Sequence, residues 1–275
     1  MRRLIPTRVI LLAFIFAIIP ALSFAQGSFM RSYAKYKEMK ESGKSVKSYQ
    51  RYDIGFSFAF ASADYKDHYT TVDMNGDLFD TTLRRKLVAK SVYGASFSTY
   101  FPVAGMGENS ILAIAVGVRA NLYKWNTGNV VLGPNYTYNY DYLTMDMGVP
   151  ISVDMKWGCD AMLDKSNRTC FTIGIGGQPT YLMTGTPTGL NTDGSVTLEG
   201  SNVFKVQPFI KAEAGFFAGI CFKVRAMYNF ANIKYLDMSS DNEQISLQGT
   251  SNFNLSIVLM PFSWDWGKEQ WWNKR

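Results

Sequence analysis

The chain contains one histidine, His68, placed beside Asp64 and Asp67. A nucleophilic relay needs a hydroxyl or thiol on one side of such a ring and an orienting carboxylate on the other. No motif surrounds any serine, so His68 reads as a solvated loop residue and the chain as not an enzyme. Asp73-Met74-Asn75-Gly76-Asp77, with Asp80 beyond it, has the carboxylate density of a Ca²⁺ loop. The glycine at the sixth position and glutamate at the twelfth that an EF-hand requires are missing, which leaves a solvated acidic loop. Cys159 and Cys170 flank a short hairpin and form a candidate disulfide if their sulfurs face each other, with Cys221 left over. CxxC spacing is absent, so no metal site and no cofactor are expected.

The remaining chemistry-bearing groups fall at every second residue. Ile54, Phe56, Phe58 and Phe60 alternate with Asp53, Gly55, Ser57 and Ala59. This period of two is the signature of a strand with unlike faces. It recurs around Tyr93–Phe101, Leu112–Leu122, Met147–Trp157, Phe171–Gly176, Lys205–Phe216, Phe222–Phe230 and Phe253–Leu259. About eight strands result, each near the ~9–11 residues that cross a bilayer at a tilt. The polar face carries Asp53, Arg119, Asp154, Lys156, Lys211, Glu213, Lys223 and Arg225, together a candidate lumenal charge network. Such charges must pair, because an uncompensated charge inside a packed barrel costs several kcal/mol.

Connections alternate in length. Pro102–Asn109, Gly158–Thr169 and Ala218–Cys221 are short, whereas Ser62–Lys90, Lys124–Asp146, Tyr181–Asn202 and Ala231–Asn252 are long and polar. Short turns at one end and long loops at the other are the arrangement of outer-membrane barrels. Tyr136, Tyr138, Tyr140 and Tyr142 in the second long loop read as strand extension. Tyr52, Tyr100, Tyr123, Trp125, Trp157, Tyr181 and Trp264 near strand ends read as interfacial girdles.

Arg2, Arg3 and Arg8 precede an apolar run to Leu22, and Ser23-Phe24-Ala25 supplies small residues for cleavage. This is the pattern of a signal peptide over residues 1–25. Residues 26–51 then form a basic segment expected in the periplasm, with seven basic residues against Glu38 and Glu41. The formal charge of +6 resides in these two regions, leaving the remainder slightly acidic and arguing against nucleic acid as a partner. The barrel is expected over 52–262 and a Trp-rich periplasmic tail over 263–275. Bulky aromatic residues on one face exceed what a small lumen holds, which favours lipid on that side over a soluble lipocalin-like barrel.

The leader, the Tyr-rich loops, the strands Tyr52–Ala61 and Ser110–Tyr123, and the stretch Met147-Gly148-Val149-Pro150-Ile151 together resemble the small porin-like outer-membrane barrels of Bacteroidota, among them PorT-type proteins. The resemblance implies an all-β, antiparallel up-and-down transmembrane β-barrel in the bacterial outer membrane. It also implies outer-membrane lipid as its surroundings and other envelope or secretion proteins as partners. Such barrels end on an aromatic residue that the insertion machinery reads, whereas here the last strand is followed by Phe262–Arg275. Either Phe262 or Trp264 serves as an internal signal, or the tail packs back on the periplasmic rim. The favoured role is a structural or interaction component of the cell envelope with a side-chain-filled lumen. A small-solute pore and a soluble periplasmic binding barrel are the alternatives.

Overall fold

The computed structural model describes residues 48–72, 78–106, 109–128, 130–131, 137–138, 141–165, 167–190, 196–230, 233–239 and 243–266. The expected signal peptide, the basic segment up to Lys47, the Asp73–Asp77 loop and the tail beyond Trp266 lie outside the described residues. The elements are the 3₁₀ turn η1 (Ser48–Arg51), then β1 (Asp53–Val72), β2 (Leu78–Val88), β3 (Lys90–Gly105) and β4 (Ser110–Asn126). A small hairpin, β5 (Val130–Val131) and β6 (Thr137–Tyr138), precedes β7 (Asp141–Gly148) and β8 (Ile151–Gly158). Next come the single helical turn α1 (Cys159–Met162), β9 (Thr169–Leu190), β10 (Val196–Ala218), β11 (Ile220–Asn229), β12 (Lys234–Ser239), β13 (Glu243–Met260) and η2 (Pro261–Asp265).

Three pairs of these segments are continuous wall strands with an interruption: β2 with β3, β7 with β8, and β11 with β12. The wall therefore has eight antiparallel strands in sequence order. It closes where β1 pairs with β13, from Ile54 opposite Leu259 to Tyr69 opposite Glu243. Closure leaves no edge at the seam, which satisfies the backbone groups that lipid cannot. The β7–β8 break falls at Pro150, which has no N–H to donate to a ladder. Its carbonyl still accepts from the Gly117 N–H at 3.0 Å, and the Val149 N–H reaches the Pro179 carbonyl at 2.9 Å.

Alternation decides which side faces lipid. On β1, Asp53, Ser57, Ala59 and Ala61 are buried, while Ile54, Phe56, Phe58 and Phe60 are between 42% and 52% exposed. The same outward apolar set continues with Phe97 and Phe101 on β3, Val153 on β8, Ile173 and Ile175 on β9, Val224 on β11 and Ile257 on β13. Polar residues lie inside and an apolar band lies outside, the reverse of a soluble ligand-binding barrel and the arrangement of a transmembrane one.

Two expectations are corrected. Most residues of the long polar connections are not loop: β1 pairs with β2 as far as Val72 opposite Leu78, and β9 with β10 as far as Leu190 opposite Val196. The wall extends beyond the apolar band as hairpins, because Thr- and Val-rich polar segments satisfy their backbones by continuing the ladder. Tyr100, Tyr123 and Trp125 do not belong to a girdle, for all three are buried in the lumen; each occupies an inward position in the alternation. Tyr142 is inward as well, whereas Tyr181 and Trp264 are exposed.

Above the band the wall is uneven. β11 pairs with β10 only from Phe209 to Ala218, and the Phe230 N–H bonds to the Pro208 carbonyl at 2.9 Å. β12 then pairs with β13 and leans inward, burying Ile233, Tyr235 and Leu236. An open notch of about 650 Å³ results, lined by Ser201, Val203, Lys205, Lys234, Asp237 and Gln248.

A charge introduced on the lipid face tests the assignment of faces. Ile257→Arg, within the outward apolar stretch of β13, should destabilise the barrel by roughly 2–4 kcal/mol in denaturant titrations from lipid vesicles. The same change at Gln244, exposed at the upper end of the same strand, should cost almost nothing.

Candidate functional site

The lumen is filled in layers. At the end with short turns, Tyr100, Ile111, Ala113, Leu163, Met260 and Trp266 pack with three cysteines into an apolar plug. Trp266 follows η2 and folds back under the barrel, donating from Nε1 to the Gln50 carbonyl at 3.2 Å and stacking on Phe217. This is the arrangement in which the residues after the last strand pack on the rim. Phe262 and Trp264 remain exposed beside it.

Above the plug lies the principal charge network. Arg225 donates from Nε to Glu213 at 2.6 Å and from an Nη atom to Asp53 at 2.8 Å. Lys223 lies between three acids, Glu213 at 3.1 Å, Asp160 at 3.2 Å and Asp53 at 3.5 Å. Lys156 contacts Asp160 at 2.7 Å and covers the Tyr100 ring, whose hydroxyl donates to the Asp160 carbonyl. Lys211 pairs with Asp154 at 2.7 Å and reaches Glu213 at 3.8 Å. Four acids thus meet four bases among the described residues, and every one is buried. Matching of this kind is what lets charges remain ionised where a lone charge would be expelled. Gly174 contributes by having no side chain, since a Cβ there would lie 2.3 Å from an Asp154 carboxylate oxygen.

Arg119 belongs elsewhere. It sits higher in the lumen and pairs with Asp146 at 3.1 Å, and the Tyr123 hydroxyl donates to the same Asp146 oxygen at 3.0 Å. A band of amides and hydroxyls lies near it, including Ser57, Asn121, Asn254 and Ser256. Trp125, Tyr123, Tyr235, Tyr142 and Tyr65 close the upper lumen as an aromatic cluster, with the Trp125 Nε1–H donating to Thr144 at 2.9 Å. Beside Lys211, Arg225 and Asn254 the described residues leave a partly open pocket of about 30 Å³, room for on the order of one or two waters.

Seven of the eight residues proposed for the lumenal network from their alternation therefore meet in one cluster: Asp53, Asp154, Lys156, Lys211, Glu213, Lys223 and Arg225. Two partners escaped that reasoning. Asp160 comes from the α1 turn rather than from a strand, so alternation says nothing of it; its spacing from Lys156 at i+4 was the available signal. Asp146 was on the correct face but was not matched to Arg119, because the pairing crosses from β4 to β7.

His68 is not in a loop. It lies on β1 opposite Thr82 of β2, with Nδ1 3.0 Å from the Thr82 hydroxyl and Nε2 3.3 Å from Asp80. A hydroxyl, an imidazole and a carboxylate are in line, the groups of a nucleophilic relay, displayed on a half-exposed strand face. The three cysteines are free thiols, with no bridge between Cys159 and Cys170. Cys221 is not left over, for its sulfur joins the other two within 4.8 Å.

No family model and no curated protein matches the sequence. Solved structures do resemble the fold. The outer membrane protein OprG from Pseudomonas aeruginosa is 8% identical with a TM-score of 0.38, over 76% of this chain and 95% of that one. The outer membrane protease OmpT from Escherichia coli is 10% identical with a TM-score of 0.39, over 78% and 98%. Neisserial surface protein A is 10% identical with a TM-score of 0.31, over 76% and 96%. The likeness concerns architecture, an outer-membrane type of β-barrel. The expectation that the chain is not an enzyme does not stand, because a protease is among these barrels and the architecture therefore does not exclude catalysis.

The isolated upper pair gives a clean test of lumenal charge matching. Arg119→Met should destabilise the barrel by roughly 3–5 kcal/mol, since Asp146 is left buried without its cation. Adding Asp146→Leu should recover much of that loss, read as a shift in the unfolding midpoint of the double variant towards that of the parent.

Proposed function

We propose that this chain is an interaction component of the bacterial outer membrane: a sealed barrel that anchors extended hairpins on the outer side and terminal segments on the periplasmic side. The observation that carries this reading is the filled lumen. An eight-stranded barrel has a bore that side chains can occupy completely. Here an apolar plug, a balanced charge cluster and an aromatic layer occupy it in succession. A pocket of about 30 Å³ is too small for a solute, which counts against a pore. The outward apolar band counts against a soluble carrier.

With the bore closed, what remains available for work is surface. The hairpins β1–β2 and β9–β10 stand above the band, and η1 and η2 meet at the opposite end. Partners are therefore sought among other envelope or secretion proteins, as in the porin-like barrels of Bacteroidota that the sequence resembles. The basic 26–51 segment would approach such partners from the periplasm.

Reconstituted in planar bilayers, the purified barrel should give no stable single-channel conductance; a stable unitary current would end the sealed-lumen reading. Mild crosslinking in intact cells should trap a larger species containing a second protein. Recovery of monomer alone would remove the interaction role while leaving the sealed lumen in place.

A further inference from the structure

Cys159, Cys170 and Cys221 come from three separate elements, α1, β9 and β11, yet their sulfurs all lie within 4.8 Å of one another. All three are buried. Three sulfurs bound at ~2.3 Å to one ion stand about 4 Å apart. We propose that they form a trithiolate site for a thiophilic divalent cation of the Zn²⁺ class, at the periplasmic end of the lumen.

Local features converge on this arrangement. Gly158, with φ +80°, ends β8 and turns the chain so that Cys159 points into the barrel; a Cβ there would lie 2.0 Å from the Thr169 carbonyl. Gly215 leaves room for the second sulfur, since its Cβ would stand 2.9 Å from Cys170 Sγ. The third is fixed through its backbone, where the Cys221 N–H donates to Ser263 Oγ at 2.7 Å and that hydroxyl donates to the Met260 carbonyl. Supports of this kind orient ligands before a metal arrives.

The surroundings choose the ion. Thiolates select soft cations over Ca²⁺ or Mg²⁺. The neighbouring charge network is already balanced, so the complex of smallest net charge is favoured. Three thiolates leave −1 on a divalent ion and −2 on Cu⁺, which favours the divalent ion. A simple disulfide accounts for only two of the three sulfurs.

The experiment uses the full-length mature barrel, isolated from membranes under a thiol-blocking reagent and, separately, refolded after reduction. The reduced barrel should take up one equivalent of Zn²⁺ in competition with a chromophoric chelator, and Cd²⁺ should produce a thiolate charge-transfer band. Each of Cys159→Ser, Cys170→Ser and Cys221→Ser should weaken binding at least tenfold, with an unchanged shift between unboiled and boiled samples reporting intact folding. Cys→Ala variants replace any serine variant that fails that check. The membrane-derived protein should carry the metal and resist thiol blocking until a chelator is added. No uptake by the reduced barrel, uptake unaffected by all three substitutions, or a Cys159–Cys170 disulfide in the membrane-derived protein would overturn the site.

Discussion

Electroneutrality inside a narrow bore is the constraint on which the rest of this structure depends. Eight strands close around a space that side chains must fill. Charges placed there lose water and are tolerated only against opposite charges with good geometry. Asp53, Asp154, Asp160 and Glu213 therefore have to meet Lys156, Lys211, Lys223 and Arg225 in one cluster drawn from β1, β8, α1, β10 and β11. A slip of one residue in any contributing strand would send its charge into lipid and strand its partners. The network specifies register more than it adds stability.

The two ends of the lumen are closed by different means. At the lower end, chain that is not part of the wall does the work: α1 brings Asp160 and Cys159 inward, and Trp266 folds under the rim. At the upper end the wall itself leans in, as β12 abandons β10 and adds Tyr235 and Leu236 to the aromatic cluster. The notch beside β10 is the counterpart of that inward lean. Strand pairing is lost on one side of β10 and side-chain packing is gained in the lumen.

Alternation made the wall legible. The residues Ile54 to Phe60, or Phe222 to Phe230, announce both strand and face, because a period of two has few other physical meanings. The inward charges were legible for the same reason. What alternation could not supply was anything set by the third dimension. Asp160 and Trp266 lie outside strands, and the partner of Arg119 is fixed by the β4–β7 register rather than by spacing. The polar segments around Tyr65 and His68 looked like loop because polarity was read as solvent exposure. They are strands above the membrane, where water on the outer face removes the apolar half of the pattern. The convergence of three cysteines was hidden by separations in sequence that no motif describes.

The seam between β1 and β13 has a consequence for how the molecule comes into being. Asp53, which neutralises Arg225 and Lys223, sits on the first strand, while both bases sit near the end of the chain. Until the first and last strands meet, Asp53 stands unpaired at one edge of the sheet and one positive charge near the other edge is left uncompensated. An open sheet of this kind is costly in hydrocarbon, for its edges as well as for that charge. Insertion and closure are thereby coupled: a partly emerged chain has no comfortable intermediate in the bilayer, and the last strand arrives as the step that makes residence there tolerable.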